Sequence, residues 1–594
     1  MIKYNNPVLN KYEVRTLPVP RMFETMEKFL SWVKPLITEE EYVEAKKEVD
    51  QFLNSNLSSI LQNRLINKSI GKDENWMSEW WMDYTYLASR GPVTPECNAP
   101  ISMLFPTLNN VAALEKVGIV MYAVAVFYNK FKNEGVPDFV VRDKRYSLDQ
   151  LHGLLAAMRH PQVHMDVYEI NEDQSEHIAF AFRNRIYEIQ VIRDNNPVSY
   201  NEIVSTLKKI VNQDQEPKVP NVNYVSISTN RDHAAITLER ILEDEKNSEA
   251  YEKIKHSIIF ASYDEYEPQN MTDELDNIVY NKEFVNRWHG KSVNFSFDGA
   301  GNIGFVVDHT YIDGGTEMFF TESLNQIIGK MELDIQDIEL TNDIKEIEFT
   351  FSDDIAHELT KYKRDYDAYM NNVSYEKVIF EGLTRELLKE CGVVSGDSFI
   401  HLVYQMAQKK TFGKYFNTYI AVDNRTFFKG RTECVRPVSM QSVTFIEEFM
   451  KQEKSHEELL KLMRASMDEQ YKRLKDCQNG LGVNRHLFGL QMAAIELDLV
   501  NEIPLFRTQA WKVIANNRLS TSSVVAPNVK ICYFQPVEAD GFGIYYVVHK
   551  ESFMVISSFK KDEALRKTFI SNVHESLQEL LQFVKKNVEV IHHV

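Results

Sequence analysis

A histidine and an aspartate stand four positions apart in the segment VVDHTYIDGG, where two glycines follow them. The imidazole of His309 can take a proton from an alcohol or a thiol, provided that a second group fixes its tautomer and no water competes. Asp313 can orient the ring directly or by holding the turn. From these two residues alone, a structural histidine that is buried and bonded to its neighbours is the commoner case, so both interpretations stay open.

Alternating apolar residues predict the elements that position His309. They precede and follow the stretch DGAGN, at Val293, Phe295 and Phe297 and again at Ile303, Phe305 and Val307. This pattern predicts two strands joined by a turn with positive φ angles. His309 continues one face of the second strand at the point where that strand ends, so its imidazole is expected at the edge of a core.

The turn also contains a Gly-x-Gly-x-x-Gly sequence, at Gly299, Gly301 and Gly304. In dinucleotide-binding folds this sequence follows a strand and opens a helix, whose N–H groups bind the pyrophosphate. A strand on each side favours a hairpin turn over a nucleotide site. The chain lacks Gly-x-Ser-x-Gly and His-Glu-x-x-His sequences, so serine hydrolase and zinc protease chemistry are without support and no metal site is predicted.

Composition limits the class of protein. The chain has 594 residues, 44% of them hydrophobic and 26% charged, which predicts an ordered protein with two large domains. A net charge of -19 argues against nucleic acid as a partner, because binding a polyanion needs an excess of Lys and Arg. Five cysteines lie far apart without Cys-x-x-Cys spacing, which favours a reducing cytoplasm over a disulfide scaffold. We expect a cytoplasmic monomer.

No targeting or membrane segment is predicted. The N-terminal MIKYNNPVLNKYEVRTLPVP lacks the apolar core of a secretory signal, and the final VEVIHHV does not resemble a peroxisomal address. The longest apolar stretch runs from Val117 to Tyr128 and is shorter than the ~20 residues that a membrane helix needs. It is predicted to form a buried helix.

Helix and strand patterns alternate along the chain and predict the α/β class. The first stretch, which includes MFETMEKFLSWVKPLI, places apolar residues three and four apart, as in helices. Strand and helix patterns mix from about Trp76 to Leu340. They mix again after a charged stretch, up to a last amphipathic helix from about Asp562 to Val588. Two α/β domains follow from this order.

Several separated stretches resemble the carnitine/choline acyltransferase family, closest in pattern to the carnitine acyltransferases. They are LPVPRMFETMEKFL, WMSEWWMDYTYLASRGPV, NRWHGKSVNFSFDGAGNIGFVVDHTYIDGG, GRTECVRPVS, NRHLFGL, LSTSSV and FQPVEADGFGIYY, in the family's order. The resemblance implies two chloramphenicol-acetyltransferase-like α/β domains with mixed sheets and an active-site tunnel at their interface. Residues 1–68 with 352–594 would form the C-terminal-type domain, and residues 69–351 the catalytic domain.

The resemblance also implies a reaction, the reversible transfer of an acyl group between acyl-CoA and the hydroxyl of carnitine. His309 would be the general base, with Asp313 at the position of the family's acidic residue. Ser522 would lie beside the oxyanion of a tetrahedral intermediate. The transfer is direct, without an acyl-enzyme or a metal. Coenzyme A is then a co-substrate, and no permanently bound cofactor is expected.

The residues that bind carnitine are implied position by position. Arg485, Thr432 and Tyr419 would hold its carboxylate, which choline lacks. Phe534 and Tyr86 would complete the carnitine site, since the trimethylammonium group needs an aromatic wall. Choline acetyltransferases differ at the Arg and Thr positions, so carnitine is favoured over choline.

Arg385 and Lys389 resemble the family's Lys-x-x-x-Lys pair for the phosphates of CoA, with Asp397 downstream. The first Lys is Arg here, and one extra residue separates the pair from Ser-Gly-Asp, so a surface charge pair on a helix is the alternative. Cys532 stands where the short-chain enzyme has Met and longer-chain enzymes have Gly, which predicts a pocket for short or medium acyl chains. Glu322 would border this pocket and either shorten it or favour a polar acyl group.

Two alternatives stay open within this resemblance. The first is an acyltransferase of the same family for choline or another acceptor, in which the three predicted carboxylate-binding side chains would not converge. The second is a catalytically silent member that only binds acyl-CoA or acylcarnitine. The presence of all three predicted catalytic residues disfavours it.

Overall fold

The computed structural model describes residues 3–4, 14–70, 75–213, 215–340, 343–523, 526–548, 552–559 and 563–591. Most of the N-terminal stretch and the last three residues, in which no targeting signal is predicted, lie outside the described residues. The chain divides into two compact units. The first contains Trp81–Val373, Val525–Phe534 and the stretch up to Val14, and the second contains Arg15–Trp80, Ser374–Val524 and Gln535–Val594. The domain limits given in the sequence analysis stay a prediction.

Helices occupy much of both units. The α-helices of the described residues are α1 Met22–Val33, α2 Glu39–Leu53, α3 Asn56–Ser69, α4 Ser78–Trp81, α5 Val93–Glu96, α6 Ala113–Glu134, α7 Tyr200–Val211, α8 Arg231–Leu242, α9 Glu245–His256, α10 Met271–Val279, α11 Gly314–Ile328, α12 Asp353–Met370, α13 Arg385–Glu390, α14 Gly396–Phe412, α15 Met440–Lys451, α16 His456–Gln478, α17 Asn484–Glu496, α18 Gln509–Ala515 and α19 Glu563–Ile591. A π-helical turn, Met82–Leu87, follows α4. Short 3₁₀ turns lie at Lys34–Leu36, Pro106–Leu108, Asp149–Gly153, Val222–Ile227, Val500–Glu502 and Pro504–Arg507.

Each unit contains one large sheet. The strands of these two sheets are β1 Pro100–Met103, β2 His177–Phe182, β3 Arg185–Gln190, β4 Phe260–Tyr263, β5 Val293–Phe297, β6 Ile303–Val307, β7 Lys345–Glu346, β8 Ser374–Glu381, β9 Thr418–Asp423, β10 Thr432–Val435, β11 Leu519–Ser522, β12 Val529–Cys532, β13 Phe542–Val548 and β14 Ser552–Phe559. Strands outside these two sheets lie at Lys3–Tyr4, Pro137–Val141, Lys144–Tyr146, Ala157–His160, Val167–Ile170, Ile192–Arg193 and Asn196–Pro197.

Both large sheets mix parallel and antiparallel strands. In the first unit the order is β7-β3-β2-β4-β5-β6-β1-β12, and β4 runs parallel to both β2 and β5. In the second unit the order is β8-β14-β13-β11-β9-β10, and β11 runs parallel to both β9 and β13. The predicted α/β class with mixed sheets is confirmed, while the tunnel stays a prediction.

The β5–β6 hairpin carries the chain into the loop that contains His309. Phe295 pairs with Phe305 in its antiparallel register, and every residue of both strands is buried. At the turn, Gly301 has φ +80°, and its carbonyl accepts a hydrogen bond from the Lys116 ammonium at 2.8 Å. Since a strand and not a helix follows the Gly-x-Gly-x-x-Gly sequence, the predicted hairpin is confirmed.

The longest apolar stretch forms the centre of α6, as predicted. Its side chains are almost all buried in the core of the first unit, and the helix ends at Gly135, whose φ of +82° stops it. Within the described ranges, no helix combines the length and the hydropathy that crossing a membrane requires.

The second unit has its own apolar core, in which α14 and α19 pack together. Phe399 and Val403 of α14 are fully buried, as are Phe569 and Val584 of α19. The predicted last amphipathic helix is therefore confirmed from Glu563 onward, whereas Asp562 lies outside the described residues.

A buried ionic cluster holds the first unit together near residue 86. The Asp166 carboxylate, which is fully buried, accepts hydrogen bonds from Nε of Arg159 and Nε of Arg231, each at 2.8 Å. Arg90 Nη2 also donates to it, at 3.0 Å. One buried carboxylate is therefore shared by two buried guanidinium groups, and the arrangement depends on its charge.

Replacing Asp166 by Asn is expected to destabilise the first unit by about 3–5 kcal/mol, because Arg159 and Arg231 then lose the charge of the carboxylate that they share. Asp232, a partly exposed partner of Arg90, offers a matched control: Asp232→Asn is expected to change stability much less than Asp166→Asn, because solvent screens an exposed ion pair. Calorimetric unfolding of the two variants measures the difference. Equal melting temperatures for both would show that the cluster does not stabilise the fold.

Candidate functional site

The loop between β6 and α11 holds His309 by its backbone. The His309 N–H donates to Asn98 Oδ1 at 3.0 Å, and Asn98 Nδ2 donates to Asp308 Oδ2 at 3.4 Å. The other oxygen of the Asp308 carboxylate accepts from the Thr310 N–H at 3.0 Å. Because Asn98 and Asp308 are both buried, the loop has little freedom to move.

A hydrogen bond to a carbonyl determines the tautomer of His309. Its Nδ1 lies 2.5 Å from the carbonyl oxygen of Ile312. A carbonyl only accepts, so Nδ1 carries the proton and Nε2 of the neutral ring is the basic nitrogen. The side chain is 32% exposed, which leaves the ring accessible to a substrate. This is the arrangement that a general base requires.

Asp313 supports His309 without a direct hydrogen bond. Its Oδ1 lies 3.6 Å from His309 Nδ1, which is too long for a hydrogen bond but close enough to stabilise an imidazolium. Gln150 Nε2 donates to Asp313 Oδ2 at 2.8 Å, and the Asp313 N–H donates to Gln150 Oε1 at 2.9 Å. The sequence left two roles open for Asp313, and this geometry favours holding the turn over orienting the His309 ring directly.

Tyr86 lies against the catalytic candidate. Its ring stacks on that of His309, with centroids 5.2 Å apart and planes 29° apart. Tyr86 belongs to the π-helical turn, a feature frequent at functional sites. The Tyr86 carbonyl accepts from Arg159 Nη2 at 2.8 Å, and the Leu87 carbonyl accepts from the Asp166 N–H at 3.0 Å. The buried ionic cluster therefore positions the aromatic partner of His309.

The predicted acyl-pocket residues and Phe534 also lie in the first unit. Cys532 ends β12 and is buried, and burial raises the pKa of its thiol. Phe534 is half-buried two residues later. Glu322, on α11, accepts hydrogen bonds from Asn325 Nδ2 at 3.4 Å and Gln326 Nε2 at 3.2 Å, both on its own helix. Their roles toward an acyl group stay predictions.

Glu317 is a buried acid that the sequence analysis missed. It lies on α11 one turn after Asp313 and is 9% exposed. Burial and the charge of Asp313 raise its pKa to about 8. A signal was present, because Phe320 and Leu324, at i+3 and i+7, mark the apolar face of α11 on which this carboxyl lies.

The three predicted carboxylate-binding residues come together in the second unit. Arg485 Nη2 donates to the Tyr419 hydroxyl at 2.9 Å and to Thr432 Oγ1 at 3.2 Å. Arg485 Nε donates to the Thr432 carbonyl at 2.8 Å, and the residue is 6% exposed. Tyr419 and Thr432 lie on the neighbouring strands β9 and β10, while Arg485 lies at the start of α17. The sheet thus sets their convergence.

Buried charges surround this group. The Glu433 carboxylate accepts from the backbone N–H groups of Cys434 and Arg485, and burial raises its pKa. The guanidinium of Arg436 lies 5.6 Å from the centre of the Tyr419 ring, and that of Arg485 lies 5.8 Å from it. Two buried guanidinium groups face one buried carboxylate, which makes the surroundings favourable for an anion.

Ser522 and Asp397 line one pocket of the second unit, with a volume of about 250 Å³. Ser522 ends β11, whose register pairs Ser520 with Tyr419 of β9. The Tyr546 hydroxyl donates to Asp397 Oδ1, a close contact. The remaining lining residues are Ser395, Ser398, Ile420, Ala421, Gln470, Tyr471, Leu474, Ser523 and Tyr546. The pocket joins a predicted catalytic residue to a predicted CoA residue.

Arg385 and Lys389 lie one turn apart on α13, and both are exposed. The geometry is that of a cationic pair on a helix surface, which fits the phosphates of CoA and a solvated charge pair equally well. Their role in binding CoA stays a prediction.

Glu317→Gln is expected to stabilise the protein increasingly as pH rises. Between pH 4.5, the ordinary pKa of Glu, and about 8, folded Glu317 keeps a proton that the unfolded chain has lost, so the contribution of this group to wild-type stability falls across this range. The amide does not titrate, and the gain reaches at most about 5 kcal/mol above pH 8. Melting temperatures at several pH values test this, with Glu332→Gln as an exposed control. A pH-independent difference would contradict it.

Comparison with known proteins agrees with the geometry. The chain matches the family described as Choline/Carnitine o-acyltransferase over residues 17–575. A Mycoplasma pneumoniae protein named "Putative acetyltransferase" is 28% identical over 97% of this chain and 96% of its own. Carnitine O-acetyltransferase of Homo sapiens is 24% identical over 89% of this chain and 86% of its own. The peroxisomal carnitine O-octanoyltransferase of Bos taurus is 25% identical over 96% of each chain. The chain therefore belongs to the choline/carnitine O-acyltransferase family.

Proposed function

We propose that the protein transfers an acyl group reversibly between acyl-CoA and the hydroxyl of L-carnitine, with His309 as the general base. One observation carries the proposal: the Nδ1–H of His309 donates to the Ile312 carbonyl, so Nε2 is the proton acceptor. The relatives named above, among them an acetyltransferase and an octanoyltransferase of carnitine, support the same reaction.

The proposed step begins when His309 Nε2 takes the proton of the carnitine hydroxyl. The oxygen attacks the thioester carbonyl and forms a C–O bond, which gives a tetrahedral oxyanion. Ser522 donates a hydrogen bond to this oxyanion. When the intermediate collapses, the C–S bond breaks, and the CoA sulfur receives the proton from the imidazolium. The nearby Asp313 carboxylate stabilises that imidazolium while it exists.

Carnitine is the proposed acceptor because Arg485, Tyr419 and Thr432 converge. A guanidinium with two hydroxyl partners offers a planar set of donors that suits a carboxylate, which choline does not have. Tyr86 and Phe534 are the proposed aromatic partners of the trimethylammonium group.

Acyl-CoA is the proposed co-substrate, and the pocket that contains Asp397 and Ser522 is its proposed site in the second unit. Arg385 and Lys389 supply positive charge for its phosphates on a protein that is otherwise acidic. Cys532 and Glu322 favour a short or medium acyl chain. The cysteines of the described residues are all unpaired, which supports a reducing compartment such as the cytoplasm.

His309→Ala is expected to lower kcat by about 10²–10⁴-fold, because the proton of the acceptor hydroxyl then has no base. Thiol release from acetyl-, butyryl-, octanoyl- and palmitoyl-CoA with L-carnitine measures this and gives the preferred chain length. His256→Ala, which removes an exposed histidine of the same unit, should leave the rate unchanged. A rate within tenfold of wild type for His309→Ala would exclude His309 as the base.

Arg485→Lys is expected to raise the KM for L-carnitine by about 10–100-fold with a smaller effect on kcat, because an ammonium cannot reproduce the planar donor set. Activity with choline should change little. Arg507→Lys, at an exposed position of the same unit, is the matched control. Wild-type turnover of choline in preference to L-carnitine would overturn carnitine as the acceptor and favour another acceptor.

A further inference from the structure

The proposed mechanism assigns no role to Glu317, a buried acid of the first unit. The Glu317 carboxyl is 9% exposed, and within the described part of the chain no hydrogen bond or ion pair engages it. Buried polar groups in native proteins almost always have a partner, so an unpartnered one calls for an explanation. A ligand that supplies the missing hydrogen bond would provide it.

Glu317 lies close to the residues proposed to act on the acyl group. It stands one helical turn after Asp313, whose carboxylate lies 3.6 Å from His309. Glu317 also lies within electrostatic range of the thiol of Cys532, at the end of strand β12. The carboxyl is therefore near both the proposed base and the proposed wall of the acyl pocket.

We propose that Glu317 selects acyl groups that carry a hydroxyl or keto oxygen, by forming a hydrogen bond with that oxygen. This proposal rests on the acyl-transfer function proposed above and names its substrate class. A protonated carboxyl has one O–H donor and a carbonyl acceptor, so it can donate to a keto oxygen and can either donate to or accept from a hydroxyl. An unsubstituted chain would leave the group unsatisfied, which reduces its binding.

The protonation state of Glu317 makes the two kinds of substituent distinguishable. Its pKa of about 8 keeps the carboxyl neutral near pH 7, so it can donate to a keto oxygen there. Above pH 8 the carboxylate only accepts. The preference for a keto acyl chain should then disappear, whereas the preference for a hydroxyacyl chain, which can donate, should persist.

The test compares two matched pairs of thioesters with L-carnitine: 3-hydroxybutyryl-CoA with butyryl-CoA, and 4-oxopentanoyl-CoA with pentanoyl-CoA. We expect wild-type kcat/KM to favour the substituted member of each pair by at least about tenfold at pH 7. Glu317→Leu should abolish both preferences. Glu317→Gln should retain both and keep the keto preference above pH 8, because an amide N–H₂ donates at every pH.

The controls separate this proposal from the reaction itself. Glu332→Leu, at an exposed position, should behave as wild type. Turnover of butyryl-CoA with no preference for the substituted chains, or an unchanged preference in Glu317→Leu, would overturn the role of Glu317 while leaving acyl transfer intact. Absence of turnover with every thioester would overturn acyl transfer to L-carnitine. Calorimetric binding of the paired thioesters then still tests Glu317, since equal affinities would overturn its role as well.

Discussion

A single buried carboxylate, that of Asp166, sets the geometry on which the candidate base depends. It is the shared hydrogen-bonded counter-charge of the buried guanidinium groups of Arg159 and Arg231. Arg159 in turn donates to the Tyr86 carbonyl, so the cluster fixes the ring that stacks on His309. The ionic cluster of the core therefore influences the position of the proposed base through the hydrogen bond between Arg159 and the Tyr86 carbonyl.

Hydrogen bonds to two neutral groups likewise fix the loop that carries His309. One carbonyl, that of Ile312, determines which imidazole nitrogen is basic, and one amide side chain, that of Gln150, binds both the N–H and the carboxylate of Asp313. Neither partner is charged. The loop therefore gives the ring a defined tautomer, and the Asp313 carboxylate remains close enough to stabilise an imidazolium.

Among the residues that the structure describes, Glu317 differs from the other buried acids because no hydrogen bond or ion pair compensates its carboxyl. The Glu433 carboxylate accepts hydrogen bonds from two backbone N–H groups, and the Asp166 carboxylate accepts hydrogen bonds from three guanidinium groups. Glu317 has only the like charge of Asp313 and the low polarity of its surroundings, both of which favour its protonated form. A protein that retains such a group bears a cost in stability, which is reasonable where the group binds a substrate.

The α/β class, the β5–β6 hairpin and the buried helix α6 were all predictable, because each depends on local periodicity or on a short segment. The alternation of apolar residues over the ten positions of β5 and β6 predicts a hairpin without information from the rest of the chain. His309 and Asp313 lie in the loop that follows. By contrast, strand β12 joins the sheet of the first unit although most of the second unit precedes it in the chain. No local sequence pattern indicates that pairing, because it depends on which sheet edge strand β12 contacts in the folded chain.

The sequence by itself determined the residue types that the chemistry needs, their order along the chain and the family to which they belong. Only the tertiary structure decided their partners. The tautomer of His309, the contacts among Arg485, Tyr419 and Thr432, and the isolation of Glu317 all depend on atoms brought together by folding. The physical reason is that hydrogen bonding and burial act over a few ångströms in space, whereas periodicity records only neighbours along the chain.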